Sequence, residues 1–329
     1  MKKQTFSNKL KKKTIQFLKI ALPLFLGVFL IWYSYNKFTP EQLQEIKNYF
    51  KDANYGYVAL SILFGTLSNL SRAYRWNFML APLGYKPKFK NNVMAVYITY
   101  LMNLFIPRSG EVSRALVIHK YENVPFDKAF GTIISERIAD FVILLMLIGI
   151  TLSLQFSLLT NFLMEKVDPS KIHLGMVLLL ILASIMFVYL KKSNSAISKK
   201  INIFLFGLKV GILSIFKMKQ KGAFIFHTLF IWIMYLLMYY VVVFALEDTA
   251  SITFGAIITS FVVGSMTIAF TNGGFGSYPF FIAGILVLFG IPETAGTAFG
   301  WIMWTSQTAM IILFGGLSFL LLPVLNKAK

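Results

Sequence analysis

The stretch Tyr100–Ile118 reads YLMNLFIPRSGEVSRALVI, an apolar run that is interrupted in its middle by a Pro-Arg-Ser-Gly sequence. Pro107 ends the first arm because proline lacks a backbone N–H and clashes with the preceding helical turn. Ser109 can cap the second arm, and Gly110 permits a tight reversal. The pattern therefore predicts two short helices joined by a sharp turn, not one continuous helix.

A second apolar region is broken in a similar way. It runs from Ile252 to Phe270, is interrupted by TNGGFG at 271–276, and resumes until Leu288. Three glycines in four positions let the backbone reverse and approach a ligand or another helix closely. Two interpretations stay open: amides at the start of the second arm that bind an anion, or close helix packing through small residues.

The rest of the chain has the composition of a membrane protein. It contains 329 residues, of which 57% are hydrophobic and 14% charged, too apolar for a soluble globular protein. Six uninterrupted segments are long enough to span a bilayer at 1.5 Å per residue. They are, approximately, residues 15–35, 55–80, 130–154, 172–190, 223–246 and 297–325. The predicted fold is an all-α polytopic membrane protein with about six full transmembrane helices and two re-entrant broken-helix hairpins.

The distribution of Lys and Arg predicts how the broken regions fold. If each returns to its own side, the cytoplasmic segments hold 21 Lys and Arg and the outer segments hold 5, as the positive-inside rule requires. The cytoplasmic segments are 1–14, 81–91, 119–129, 191–222 and 326–329. The outer segments are 36–54, 155–171, 247–251 and 289–296. A single transmembrane domain, 15–325, then contains two halves of inverted topology, 15–154 and 172–325, as in many transporters.

Composition also excludes several classes of function. Lys and Arg total 32 against 13 for Asp and Glu, but they lie between the apolar runs, so we expect no nucleic-acid partner. The absence of cysteine excludes disulfides, thiol chemistry and iron–sulfur sites. His119, His173 and His227 are too far apart in sequence to suggest a metal site. We expect no cofactor, and without a nucleotide-binding loop ATP does not drive the protein directly.

Three ionisable residues lie inside the predicted span 130–154, in ISERIADFVILL. A charge at membrane depth costs about 2.5 to 3.5 kcal/mol on insertion scales. Glu136 and Asp140 share a helix face, and Arg137 can pair with either. One interpretation is a self-neutralising cluster that anchors the helix; the other is a buried network completed by Arg108 or Arg114.

The first hairpin carries a candidate phosphate site. Arg108 and Arg114 flank the start of its second arm, where a helix N-terminus offers free amides and partial positive charge. Glu111 can orient Arg114 from three residues away. The alternative is a cytoplasmic loop whose Arg-Glu-Arg set is satisfied internally.

A further pair of arginines, Arg72 and Arg75, lies beside Trp76 in the sequence RAYRW. Arginine next to tryptophan can bind a specific lipid. It is also typical of ordinary anchoring at a membrane interface, so both interpretations stay open.

Four motifs resemble a known family when taken in order. They are RxxRW (Arg72–Trp76), NxxxPRxGExxR (Asn103–Arg114), SERxxD (Ser135–Asp140) and NGGxGxY (Asn272–Tyr278). Together they resemble the lysylphosphatidylglycerol synthase transmembrane-region family, which includes the flippase-type membrane domain of the multiple peptide resistance factor and stand-alone bacterial proteins. The resemblance covers about Tyr55–Leu325. It implies a bacterial inner-membrane protein that moves a lipid between leaflets, in the best-known members an aminoacylated phosphatidylglycerol.

The sequence departs from that family at two points. Members joined to a synthase carry a soluble aminoacyl-transferase domain after the membrane part, whereas this sequence stops four residues past the last span, so we expect no aminoacylation by this chain itself. Many relatives have Pro before the glycines and Glu soon after, where this chain has Asn272 and Tyr278. The lipid need not be the same.

The leading hypothesis is a lipid translocase with both termini in the cytoplasm. The headgroup phosphate of a phospholipid or polyprenyl-linked lipid would bind at the first hairpin, and the glycine turn of the second would supply the outward half of the path. The alternatives are a membrane-embedded enzyme acting on a lipid phosphate with Glu136 or Asp140 as base, and a non-catalytic scaffold; whether a second copy of the chain is a partner stays open. We name no catalytic residue. The candidate substrate-binding residues are Arg72, Arg75, Asn103, Arg108, Glu111, Arg114, Glu136, Arg137, Asp140, Asn272, Gly273, Gly274, Gly276 and Tyr278.

Overall fold

The computed structural model describes residues 21–157, 218–271 and 273–326, with a few isolated positions from 160 to 199. All regular structure in these ranges is helical, which confirms the prediction of an all-α protein. Among the described residues, three helical stretches are long and apolar enough to cross a membrane. They are Phe126–Leu154, Lys221–Ala245 and Glu293–Leu325. The chain is therefore an all-α membrane protein.

The described chain begins with helix α1, residues 21–37, followed by α2, Pro40–Asp52. A capping box starts α2: the Thr39 hydroxyl accepts a hydrogen bond from the Gln42 amide, and the Gln42 side chain accepts one from the Thr39 amide. Pro40 occupies the first position of this helix, where its missing backbone N–H is not needed for a helical hydrogen bond.

Helix α3 spans Tyr55–Leu80, the bounds predicted from the sequence. The Asn54 side chain caps it by accepting a hydrogen bond from the Gly56 amide. A short 3-10 turn, Ala81–Leu83, then leads to the first hairpin.

The first hairpin consists of α4, Phe89–Phe105, and α5, Gly110–Glu122. At 1.5 Å per residue, these helices are about 26 and 20 Å long, each too short for a hydrocarbon layer of about 30 Å. The chain reverses where the sequence predicts. The expected cap is absent, however: the Ser109 hydroxyl accepts no hydrogen bond from an α5 amide. It lies against the end of α4, where it donates to the carbonyls of Met102 and Ile106.

Two long helices follow, α6 (Phe126–Leu154) and α7 (Lys221–Val242). A 3-10 turn, Val243–Ala245, extends α7, and a second one follows at Glu247–Thr249. The predicted span 172–190 and the Lys-rich segment before α7 lie outside the described residues, apart from isolated positions.

The second hairpin consists of α8, Phe254–Phe270, and α9, Ser277–Val287. Their lengths, about 26 and 16 Å, again fall short of a full span. The last helix, α10, runs from Glu293 to Leu325.

The chain divides into two compact units: Met1–Ile133 together with Gly222–Lys329, and Ile134–Lys221. The boundary passes through α6. Both hairpins belong to the first unit, and every contact described below lies within it.

Three contacts join one end of the first unit, here called the Lys37 end. The Lys37 ammonium binds the Glu293 carboxylate at 2.6 Å, the Tyr49 hydroxyl donates to Asp248, and the Asn54 amide donates to the Ala245 carbonyl. Burial and the bond to Asp248 raise the pKa of Tyr49, so its hydroxyl stays protonated as the donor. The segments that the charge pattern assigns to the outer face, 36–54, 247–251 and 289–296, thus meet.

The other end, here called the Asn91 end, joins the start of α4 to the ends of α5 and α10. The Asn91 side chain donates to both Glu122 and Asn326, and Lys90 donates to the Leu325 carbonyl. These residues lie in or beside the segments predicted to be cytoplasmic. The first hairpin therefore returns to the end from which it starts, and the second is bounded by segments of the Lys37 end.

Candidate functional site

The tips of the two hairpins meet. A Cβ atom added to Gly273, in the turn of the second hairpin, would lie 3.3 Å from Cδ2 of Leu104, near the end of α4. The hairpins start from opposite ends of the first unit. The broken helices of both hairpins therefore meet inside this unit, at their tips.

The tip of the first hairpin presents Arg108 to the surroundings. Its backbone has φ +62°, one of two positive values at non-glycine residues in the described part of the chain. An L-residue in this left-handed region costs roughly 1 to 2 kcal/mol. Strain of this kind concentrates at functional sites, so the exposed guanidinium is the strongest candidate for ligand contact at this tip.

The start of α5 is partly used by the hairpin itself. The Gly110 amide donates to Oδ1 of Asn103 at 2.8 Å, and Nδ2 of Asn103 lies 3.5 Å from a carboxylate oxygen of Glu111. A Cβ atom on Gly110 would lie 2.0 Å from the Thr99 carbonyl oxygen, so only glycine fits this approach. The first amide of α5 therefore serves the reversal and is not open to a phosphate.

Arg114 lies in a different environment from Arg108. Its side chain is 1% exposed, and the guanidinium carbon stacks 3.8 Å from the centre of the Trp76 ring, a cation–π contact. The Trp76 indole in turn donates to the Thr132 hydroxyl at 2.8 Å. The two arginines expected to flank one phosphate thus divide into an exposed residue and an interior residue.

Arg72 and Arg75 are also interior. Arg72 donates to the Tyr235 hydroxyl at 3.4 Å, which is 3.1 Å from the Tyr100 hydroxyl. Arg75 donates to the Thr228 hydroxyl at 2.8 Å. Both arginines therefore connect α3 to α7, which does not agree with simple anchoring among lipid headgroups.

The carboxylates of α6 belong to the second unit. Glu136 is 1% exposed and Asp140 8%, and their spacing places them on one face of the helix; Arg137 is half-buried. Burial of both carboxylates agrees with the prediction that these charged residues lie inside a membrane span. Their coupling to Arg108 or Arg114 stays a prediction.

The tip of the second hairpin is built by glycine backbone. Gly273, Gly274 and Gly276 have φ of +63°, +80° and +66°, values that glycine adopts without strain. The Thr271 hydroxyl accepts from the Gly274 amide at 3.1 Å, and the Trp304 indole of α10 donates to the Gly273 carbonyl at 2.8 Å. Asn272 lies outside the described residues.

Close packing also requires a glycine at this tip. A Cβ atom on Gly276 would lie 2.2 Å from the Gly27 carbonyl oxygen of α1, and one on Gly27 would lie 2.4 Å from the Phe275 carbonyl oxygen. Tyr278 is buried, with its ring 2.7 Å from where a Cβ atom on Gly264 would be. Of the two interpretations left open by the sequence, the contacts at Gly276 support helix packing.

A polar pair that the sequence analysis does not predict lies between α3 and α7. Oγ of Ser71 and Nδ1 of His227 are 2.8 Å apart, beside an apolar cavity of about 290 Å³ lined mainly by aromatic side chains. A histidine within an otherwise apolar span is costly and therefore informative. The position of His227 in an apolar segment could have indicated this pair from the sequence, but the histidines were compared only with the spacing of metal ligands.

In the described ranges, no three His, Asp or Glu residues are placed to hold a metal ion.

The arrangement of motifs has a counterpart among known proteins. The family model for the lysylphosphatidylglycerol synthase TM region matches residues 20–316. The chain belongs to this family. The match includes both hairpins and all four motifs of this lysylphosphatidylglycerol synthase transmembrane-region protein, which confirms the resemblance read from the sequence.

Two curated relatives match smaller parts of this family member. A UPF0104 membrane protein of Methanocaldococcus jannaschii is 34% identical over 101 residues, covering 29% of this chain and 29% of the relative. The glycosyltransferase AglD of Haloferax volcanii is 29% identical over 109 residues, covering 33% of this chain and 18% of the relative. The chain thus matches less than a third of either relative. No solved structure matches it.

Proposed function

We propose that this protein is a lipid translocase that moves a phospholipid or polyprenyl-linked lipid between the leaflets of a cell membrane. The observation that carries the proposal is the contact between the hairpin tips at Leu104 and Gly273. Broken helices that meet inside a membrane line the substrate path in many transporters. Membership of a family named for lysylphosphatidylglycerol synthase agrees with a lipid substrate.

The proposal includes an inverted arrangement of two halves, 15–154 and 172–325, with six full spans and two re-entrant hairpins. The Lys37 end would face outward, and both termini with the Asn91 end would face the cytoplasm of a bacterial cell. Three facts support this arrangement: the hairpin helices are too short to span, each hairpin belongs to a different end, and loops assigned to one face by charge meet at one end.

In this mechanism Arg108 makes the first contact with the lipid phosphate. It is exposed at the tip, and its backbone carries strain of the kind that concentrates at functional sites. The interior arginines have a different part in this mechanism: Arg72 and Arg75 join α3 to α7, and Arg114 joins α5 to Trp76 of α3, so they hold the helices around the first hairpin in place. The glycine turn of the second hairpin continues the path towards the Lys37 end.

A second candidate is a membrane-embedded enzyme, and the pair formed by Ser71 and His227 favours it. A serine hydroxyl next to an imidazole is the core of many nucleophilic sites. Ser71 lies in the middle of α3, however, where the backbone amides are used within the helix and no oxyanion hole is formed by them. Hydrogen bonding between packed helices explains the pair more simply.

The experiment is a leaflet-exchange assay with the purified protein in phospholipid vesicles that carry a fluorescent phospholipid. Wild type should accelerate exchange over protein-free vesicles, and mass spectrometry should find the lipid chemically unchanged. Absence of exchange would contradict the proposal. A new lipid product that is lost in Ser71→Ala would support the enzyme instead.

Matched variants test the role of the first tip. Arg108→Gln should slow exchange at least tenfold because the phosphate loses its first charged contact. Lys120→Gln removes another exposed positive charge, from the far end of the same hairpin, and should leave exchange unchanged. Equal loss in both variants would show that total charge, and not the tip, matters.

A further inference from the structure

A cavity of about 260 Å³ extends from the second hairpin tip to the Lys37 end. Gly276 lines it at the tip, Glu293 at the other extreme, and the walls between them come from α1, α2, α9 and α10. Most of the wall is apolar, including Tyr35, Phe280 and Trp301. The cavity therefore continues the proposed path from the hairpin tip to the surface.

Helix α2 closes one side of this cavity. Its apolar residues Leu43, Ile46 and Phe50 recur at helical spacing and line the cavity. No residue of α2 is fully buried within the protein. The apolar stripe of α2 therefore borders the cavity while α2 itself packs on α10, and an occupant that suits this stripe must itself be apolar.

An ion pair lies at the mouth. Both carboxylate oxygens of Glu293 accept hydrogen bonds from Lys37, at 2.6 and 2.7 Å, and both side chains remain partly exposed. A headgroup that carries a phosphate and an ammonium has the complementary charges: phosphate can replace Glu293 at Lys37, and ammonium can replace Lys37 at Glu293. A purely anionic headgroup would leave the carboxylate facing a phosphate.

We propose that this cavity binds one acyl chain of a zwitterionic phospholipid from the adjacent leaflet, with its phosphate at Lys37 and its ammonium at Glu293. The inference rests on the proposed function, because it places the cavity at the outward end of the lipid path. It adds to that function a second binding site and a headgroup preference.

The test uses native mass spectrometry of the purified chain with equal amounts of phosphatidylethanolamine and phosphatidylglycerol. Wild type should retain phosphatidylethanolamine in preference. Ser34→Trp, which places an indole in the cavity from α1, should reduce retention at least fivefold. Val28→Trp, on an exposed face of the same helix, should retain the lipid as wild type does.

Two further variants separate the acyl site from the headgroup site. Ile46→Trp fills the cavity from α2 and should reproduce the loss, so that poor folding of one variant does not decide the result. Glu293→Gln should keep the acyl chain but lower the preference for phosphatidylethanolamine by roughly two- to fivefold, the range for an exposed ion pair.

Several outcomes would overturn this site: no phospholipid retained by wild type, retention unaffected by both cavity-filling variants, or equal retention of the two lipids. The exchange assay distinguishes this failure from failure of the translocase proposal. Exchange without a lipid in the cavity contradicts only the site. A lipid retained by wild type and lost in the variants, without any exchange, contradicts only the translocase.

Discussion

Both hairpin tips contain backbone in the left-handed conformation, but different residues adopt it. At the first tip, the left-handed conformation falls on Arg108, which is exposed. At the second tip it falls on glycines, one of which packs against the backbone of α1 at Gly27. Glycine adopts this conformation without strain, whereas arginine does not.

The difference indicates separate roles. A strained, charged residue at an exposed tip is unfavourable for folding and is explained by ligand contact. Glycines that permit a reversal and a close helix contact are required by the fold itself, including where they line the proposed path. We therefore expect changes at the first tip to affect lipid movement more than stability, and changes at the second tip to lower both together.

The largest stability effect is expected at Gly276. Gly276→Ala adds backbone strain and a clash with the Gly27 carbonyl oxygen, so it should cost about 2 to 5 kcal/mol. Gly290→Ala is the control, because Gly290 has φ +82° and open space around it; it should cost only about 1 to 2 kcal/mol. Thermal unfolding in detergent measures both, and equal losses would show that the contact with α1 adds nothing.

An intermediate effect on stability is expected when changes in the first hairpin and at the α6 carboxylates are combined. If Arg114 and Glu136 interact, as the sequence predicts, the Arg114→Ala and Glu136→Ala changes should be non-additive by about 0.5 to 3 kcal/mol. Arg114→Ala with Glu293→Ala is the control pair, since Glu293 is bonded to Lys37. That pair should add within about 0.5 kcal/mol. Additivity in both pairs would exclude the coupling.

The smallest stability effect is expected at Arg108, where the effect on exchange should be large. Arg108→Gly relieves the strained backbone, which more than offsets the added freedom of the unfolded chain, so stability should rise by up to about 1 kcal/mol. Leaflet exchange should nevertheless fall at least tenfold. Asn123→Gly makes the same backbone change at φ +56°, at the end of α5, and should leave exchange unchanged. A drop in both stability and exchange for Arg108→Gly would make the first tip structural as well.

The sequence predicted the local features of the fold well. The bounds of α3 follow from the length of one apolar run, and the position of both breaks follows from proline and glycine, whose effects act within a few positions along the chain. The prediction of a Ser109 cap was wrong because the hydroxyl is held at the end of α4, where it donates to two carbonyls, and accepts no bond from an amide of α5.

The roles of the polar residues could be predicted only in part. Charge at membrane depth marked Glu136 and Asp140, which are buried. The hydrogen bond from Arg75 to Thr228 joins residues far apart in the chain, and so does the stacking of Arg114 on Trp76. No periodicity or spacing encodes such neighbours, because they depend on how the helices pack.

The most direct test of the opposed hairpins is the side from which each can be reached. The chain contains no cysteine, so single cysteines can be placed at two exposed positions, Ala250→Cys before the second hairpin and Lys120→Cys near the end of the first. An impermeant maleimide should label Ala250→Cys on intact cells and Lys120→Cys only after permeabilisation. Labelling of both from the same side would contradict hairpins that enter from opposite faces and meet inside the membrane.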